Sequence, residues 1–344
     1  MIIFLLIFGV TVLCSMRLKP KEFNSEYCSP QNTARINGIF SVLIFLSHSV
    51  DYVELSGALD EPYLAFKAFL SQSVVITYMF YSGYGIMESI KRKGYGYVKS
   101  MPFNRIFRLW YHFAITVLMF TAVNIITGKE YSLSHQLLAF TGYTSIGNSN
   151  WYIFDMLVLY VIFVIAFSVF KKKHFLGAVL FCGLTGVFAV WEVIQGLPPR
   201  FYGTIYCVPM GVFYSLVKPY AEKIIMKNNI IWLILTALSV GIFAFFGVTK
   251  DVSFIHYFIF TVFGVVMIVL ISMKFRLKSK ILDWFGRHIF SFFILQRIPM
   301  ILLSHFKIIE NPYIFVIVCF VLTIALSAGF DFVISKADKK IFKT

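Results

Sequence analysis

Runs of about 20 mostly apolar residues, separated by short polar connections, recur along the chain, and a run of that length suits a helix crossing a bilayer. The pattern predicts eleven spans, over 1–16, 36–54, 69–90, 106–127, 151–170, 175–195, 203–217, 229–248, 254–273, 288–306 and 313–335. The expected fold class is therefore an all-α polytopic transmembrane bundle. Residues 1–16 would form an extra N-terminal helix, and residues 17–344 one membrane domain. The first run is short and lacks a basic leader, which argues against a cleaved signal peptide.

Composition agrees with that pattern. Of the 344 residues 59% are hydrophobic and only 14% charged, where a soluble domain has roughly 25%. The mean hydropathy is +0.81. A net charge of +15 could suggest nucleic acid, but 25 of the 31 Lys and Arg residues sit in short clusters on alternate connections between spans. That is the distribution of a topology signal, so a bilayer and not a nucleic acid is the expected partner. The basic connections are expected in the cytoplasm, with the N-terminus outside and the C-terminus inside, in a multi-pass protein of the cell membrane. Five cysteines show neither a CxxC pair nor metal-ligand spacing. No phosphate-binding GxxxxGK[ST], no GxSxG and no HExxH occurs, and no segment between spans is long enough for a separate catalytic domain. Chemistry, if there is any, belongs inside the bundle.

Polar groups in the spans mark where. In RINGIFSVLIFLSHSVDY, Asn37 and His48 are eleven residues apart, within roughly 20° of three full helical turns and about 16 Å along the axis. Ser41 shares that face, Asp51 lies one turn beyond His48, and Arg35 points elsewhere. A histidine satisfied by neighbouring helices is the simplest account, but an aligned stripe ending in an ionisable group suits a pathway or a cavity. Imidazole can take a proton from a hydroxyl near neutral pH. YSGYG, Tyr81 to Gly85, has the small residues of a close helix interface. In FNRIFRLWYH, Arg105 and Arg108 lie three apart at a basic boundary; snorkelling side chains explain such a pair, and so does a phosphate site. GNSNWYIFDMLVLY offers Asn148, Ser149 and Asn150 as helix caps, Trp151 and Tyr152 as interface aromatics, and Asp155 one turn inside the span, in need of a partner. FGRHIFSFFILQ carries Ser291 and Gln296 within a span and His288 at its start.

These loci, in this order, resemble the acyltransferase 3 family of integral membrane acyltransferases, and especially its bacterial surface-polysaccharide O-acetyltransferases. The similarity runs from about Arg35 to the end of the chain. It implies a ten-helix core using acetyl-CoA as acyl donor, with no metal. It also implies His48 as the essential histidine, Arg105 and Arg108 as the family's paired basic residues, and Trp151 as the head of its WF/WY motif. Family members often carry Arg where this chain has Asn37, so hydrogen bonding replaces charge at that position. Tyr111 stands where proline is common.

With the resemblance, the expected reaction is acetyl transfer from cytoplasmic acetyl-CoA to a sugar hydroxyl of an envelope or exported polysaccharide or its lipid-linked precursor. Arg105, Arg108 and Arg35 would hold donor phosphates, with Ser82, Gly83 and Tyr84 beside the donor. The catalytic stripe would be Asn37, Ser41 and His48, with His48 acting as base or becoming acetylated. Asp51, Trp151, Asp155 and Gln296 would face the acceptor, and Asp51 or Asp155 would orient His48. A transporter or flippase for a lipid-linked saccharide is the competing class, since it also needs polar groups inside spans.

Overall fold

The computed structural model describes residues 1–342. Seventeen helices follow one another: α1 (Ile2–Ser15), α2 (Pro30–Ser49), α3 (Glu61–Leu70), α4 (Ile76–Lys93), α5 (Tyr95–Met101), α6 (Arg108–Ile126), α7 (Leu133–Ala139), α8 (Trp151–Phe170) and α9 (His174–Ile194) in the first part. Then come α10 (Pro199–Tyr202), α11 (Cys207–Ile225), α12 (Asn229–Val248), α13 (Phe254–Ser272), α14 (Lys280–Arg287), α15 (Ile289–Leu295), α16 (Arg297–His305) and α17 (Pro312–Ile341). The only strands among the described residues are β1 (Met16–Leu18) and β2 (Phe275–Leu277), an antiparallel pair that ties the end of α1 to the turn before α14. The fold is all-α and polytopic.

Eight helical segments are long and apolar enough to cross a membrane, and a bent pair formed by α14 with α15–α16 makes a ninth. The other two predicted spans fall short of that requirement. α1 has 14 residues, about 21 Å at 1.5 Å per residue, and α11 carries Lys218, Glu222 and Lys223 in its second half. Large apolar side chains point outward along α1 and α12, among them Leu6, Leu13, Leu233 and Phe245, as on a surface facing lipid. The first turn of α1 is fixed by an ion pair between the Met1 amine and Asp60, which also accepts a hydrogen bond from the Tyr313 hydroxyl (2.8 Å) at the start of α17.

Three predicted spans have different courses. The span expected over 69–90 begins at Glu61 and breaks at Ser71, whose φ of 45° ends α3 before a short 3₁₀ segment over Ser71–Val75 leads into α4. The span expected from 106 is the end of a helical run from Tyr95 to Ile126, with a π-helical turn over Pro102–Phe107; Arg105 and Arg108 thus sit within a helix rather than in a loop. The span expected over 288–306 is broken twice. It bends by 69° from α14 at His288, and it breaks again at Gln296 because Pro299 has no N–H for the Leu295 carbonyl and its ring crowds that oxygen.

Close helix pairs hold the core, chiefly α4 with α11 and α2 with α14. At the first contact Gly83 on α4 lies against the Val208 carbonyl of α11, and Gly211 on α11 lies against the Phe80 carbonyl of α4. Neither position has room for a methyl group. Arg35 joins the second pair, donating through Nε (2.7 Å) and Nη2 (3.0 Å) to the two carboxylate oxygens of Asp283 and through Nη1 to the Leu277 carbonyl (2.5 Å).

Candidate functional site

Helices α2, α4, α8 and α15 line two cavities, one toward each end of the bundle. α2 runs from the end that carries the basic clusters, so its stripe begins there with Asn37 and finishes at the opposite end with His48. Asn37 opens into a cavity of about 650 Å³ that also takes in Tyr78, Ser82, Tyr84, Arg105 and Tyr152. His48 opens into a cavity of about 380 Å³ with Asp51, Asn148, Ser149, Trp151 and Arg297. The two share no lining residue. Between them stands a chain of rings: Tyr78 edge-on to Tyr152 (6.2 Å), Tyr152 edge-on to Phe293 (5.8 Å), and Phe293 beside the His48 imidazole (6.3 Å). The Tyr78 hydroxyl donates to the Asn37 carbonyl (3.1 Å), which anchors this septum to the stripe.

Ser41 is buried between the cavities and lines neither; its hydroxyl donates to the Gly38 carbonyl (2.9 Å). The side-chain oxygen of Asn37 and the Nδ1 of His48 are buried and make no hydrogen bond among the described residues. In so tightly packed an interior, polar atoms left free on a cavity wall are the ones a ligand would satisfy.

At the basic end, a third cavity of about 720 Å³ is lined by Lys93, Arg105, Arg108 and His112. Arg105 lines both this cavity and the Asn37 cavity. Arg105 donates to the Tyr97 hydroxyl (3.1 Å); Arg108 lies over the Phe342 ring (4.2 Å) with Asp338 at 3.8 Å. Ser82 hydrogen-bonds the Tyr160 hydroxyl (3.0 Å), and Tyr84 lines the Asn37 cavity, whereas Gly83 is spent on the α4–α11 contact. Arg35 belongs to a different, smaller cavity and is committed to Asp283, so it does not join Arg105 and Arg108.

Trp151 and Asp51 line the His48 cavity, but Asp155 and Gln296 do not. Asp155 is completely buried beside Glu192 on α9, itself completely buried, and neither carboxyl has a hydrogen-bond partner among the described residues. Gln296, buried at the helix break, donates to the Phe293 carbonyl (2.8 Å). Asp51 is paired with Lys67 (3.1 Å) and Arg297 (3.5 Å), and neither Asp51 nor Asp155 hydrogen-bonds His48 among the described residues. Asn150 takes the N-cap position of α8, yet its side chain donates to the Gly142 carbonyl (2.7 Å) instead of capping the helix. Because Asp155 lines neither cavity, Asp155→Asn, which offers Glu192 an amide donor, should leave acyl transfer within about twofold of the parent and thermal stability within about 1 kcal/mol, the ordinary worth of one hydrogen bond. A melting curve and a transfer assay on the same preparation check this.

The site also contains residues that sequence reading passed over, Tyr78 and Phe293 in the septum and Lys67, Lys129, Arg200 and Arg297 around His48, while Tyr152, expected as an interface aromatic, is the septum's middle ring. Only Arg297 had a signal close by. Pro299 two residues later marks the break that makes Arg297 the first residue of α16.

The helices form a polytopic bundle in which His48 opens into one, and Asn37 into the other, of two opposed cavities along α2. The family model of the acyltransferase domain matches residues 36–331, so the chain belongs to that acyltransferase family. No curated protein and no solved structure matches it. The matched segment holds Asn37, His48 and all of α4, α8 and α15, and excludes α1 and the first turns of α2.

Proposed function

We propose that this acyltransferase moves acetyl from acetyl-CoA to a sugar hydroxyl of a cell-envelope or exported saccharide. The observation that carries the reading is the opposed pair of cavities on one polar stripe, the one behind Asn37 sharing Arg105 with a cationic pocket. Donor phosphates suit Lys93, Arg105 and Arg108, because guanidinium groups bind phosphate oxygens in pairs. The pantetheine arm then follows Tyr84 and Ser82 toward Asn37. An acceptor hydroxyl in the opposite cavity meets His48. Its proton passes to the imidazole as the oxygen attacks the thioester carbonyl. The carbon–sulfur bond breaks, and the proton returns to the departing CoA thiolate. The free side-chain oxygen of Asn37, about 16 Å from His48 along α2, accepts from an amide N–H of the pantetheine arm as it passes. The septum lies on this path, so the thioester and the acceptor meet only when Tyr78, Tyr152 and Phe293 part.

Reconstitution in proteoliposomes with labelled acetyl-CoA on the side of the basic clusters tests the donor, and comparison of O-acetyl NMR signals in envelope glycans of cells with and without the protein tests the acceptor. Label on glycan ester is the expected result; label recovered only on protein or lipid, with unchanged glycan, would sink the reading. Arg105→Ala should raise KM for acetyl-CoA about tenfold or more, as expected for one charge-assisted hydrogen bond, with a smaller change in kcat.

A further inference from the structure

The cations that break the alternation of charge along the chain converge on one place. Apart from the 25 clustered Lys and Arg residues, six others occur: Lys67, Lys129, Arg200, Lys250, Arg297 and Lys307. Four of these, Lys67, Lys129, Arg200 and Arg297, line the His48 cavity, where Asp51 is the only carboxylate among the lining residues. Positive charge at this end runs against the topology signal that governs the rest of the chain, so it calls for a local reason.

Four polar side-chain atoms on this cavity are left unpartnered, and the three besides His48 Nδ1 can all donate. Nε of Arg297, Nδ2 of Asn148 and Oγ of Ser149 are buried and have no hydrogen-bond partner among the described residues. Asn148 and Ser149 are only 4% and 7% exposed. Asn148 Oδ1 accepts from the Ile146 N–H (3.0 Å), which fixes the amide and leaves its amino group as the free end. All three atoms can donate. A neutral sugar hydroxyl brings a donor of its own, whereas an oxyanion only accepts, and burying unmatched donors beside a surplus of cations is costly unless an anion meets them.

We propose that the His48 cavity receives an oxyanion of the acceptor, a phosphate or a carboxylate, on Arg297, Asn148 and Ser149, within the field of Lys67, Lys129 and Arg200. The acceptor is thus an acidic or phosphate-linked saccharide and not a neutral one. This rests on the acetyl-transfer reading only in calling the ligand an acceptor. The Asp51 carboxylate, 3.5 Å from Arg297, holds the guanidinium at the wall until the anion arrives.

The test is binding, without acetyl-CoA, to the full chain in phosphatidylcholine nanodiscs at fixed ionic strength. Inorganic pyrophosphate, D-glucuronate and glucose serve as probes, and thermal shift and calorimetry as readouts. At least one of the two anions should stabilise the protein while glucose does not. Arg297→Gln should weaken that binding about tenfold, and Arg297→Lys, which keeps the charge but loses the planar fork, should fall between. Preference for pyrophosphate identifies a lipid-linked diphosphate as the class, and preference for glucuronate an acidic sugar. Lys129 and Arg200 are exposed, so the double variant Lys129→Gln/Arg200→Gln folds even where Arg297→Gln does not, and it should weaken anion binding and flatten its salt dependence. Glucose binding as tightly as the anions, or anion binding unchanged in these variants, overturns the proposal. So does displacement of both probes by phosphatidylglycerol in the nanodisc, since the anion would then be a lipid headgroup. Arg297-dependent anion binding without acetyl transfer keeps this inference and removes the reaction; transfer to neutral glycans does the reverse.

Discussion

Replacing His48 with alanine should lower acyl transfer by about 10²- to 10⁴-fold, the usual loss when a positioned general base is removed, while the protein inserts and folds as before. The fold should survive because the imidazole makes no hydrogen bond through Nδ1 and packs at a cavity wall rather than in the closed core. His48→Gln should be equally inactive, since an amide fills the space and cannot take the proton. Equal amounts of folded protein, followed by initial rates with labelled acetyl-CoA, measure the effect, and more than a tenth of the parent rate in either variant would remove His48 from the chemistry. The same assay separates two routes. If His48 is itself acetylated, label stays on the protein when acceptor is withheld; if it is a base, no label is retained. Both routes require the thioester to pass from the Asn37 level to the His48 level, about 16 Å along α2, through the septum.

What the sequence revealed and what it hid follow a physical division. The stripe of Asn37 and His48 was legible because it depends only on the pitch of one helix, and the apolar runs were legible because a bilayer imposes their length. Features set by contact between distant segments were not. Asp155 visibly needed a partner, but nothing local said that it was Glu192 on the next helix rather than His48 or a ligand. Arg35 looked available for phosphate and is held by Asp283, 248 positions away. Gln296 and Arg297 show the division most sharply. Reading 288–306 as one straight span turned Gln296 toward a substrate and left Arg297 unnoticed. The break caused by Pro299 buries the glutamine on its own backbone and brings the arginine to the cavity wall.

The largest effect on the fold should come from a single methyl group. Gly211→Ala puts a Cβ into the Phe80 carbonyl and crowds the Tyr84 amide, 2.7 Å away, and Gly83→Ala collides with the Val208 carbonyl in the same way. The obstacles are backbone atoms inside helices, so they cannot swing aside as a side chain would, and α4 and α11 must separate along their whole contact. Overpacking a core ordinarily costs about 1–3 kcal/mol, and a rigid backbone clash belongs at the top of that range or above it. Gly241→Ala is the comparison: nothing lies within 4 Å of its added methyl, and alanine is the better helix former there. The expected result is a sharp loss of folded, monodisperse protein in detergent for Gly211→Ala and Gly83→Ala, with Gly241→Ala at least as stable as the parent. Parental melting temperatures for both clashing variants would show that the helices do not approach this closely. The motif YSGYG would then owe its glycines to the cavity that Gly85 lines and not to packing. As the structure stands, its two glycines divide the labour: Gly83 lets α11 in, and Gly85 keeps the Asn37 cavity open beside Tyr84.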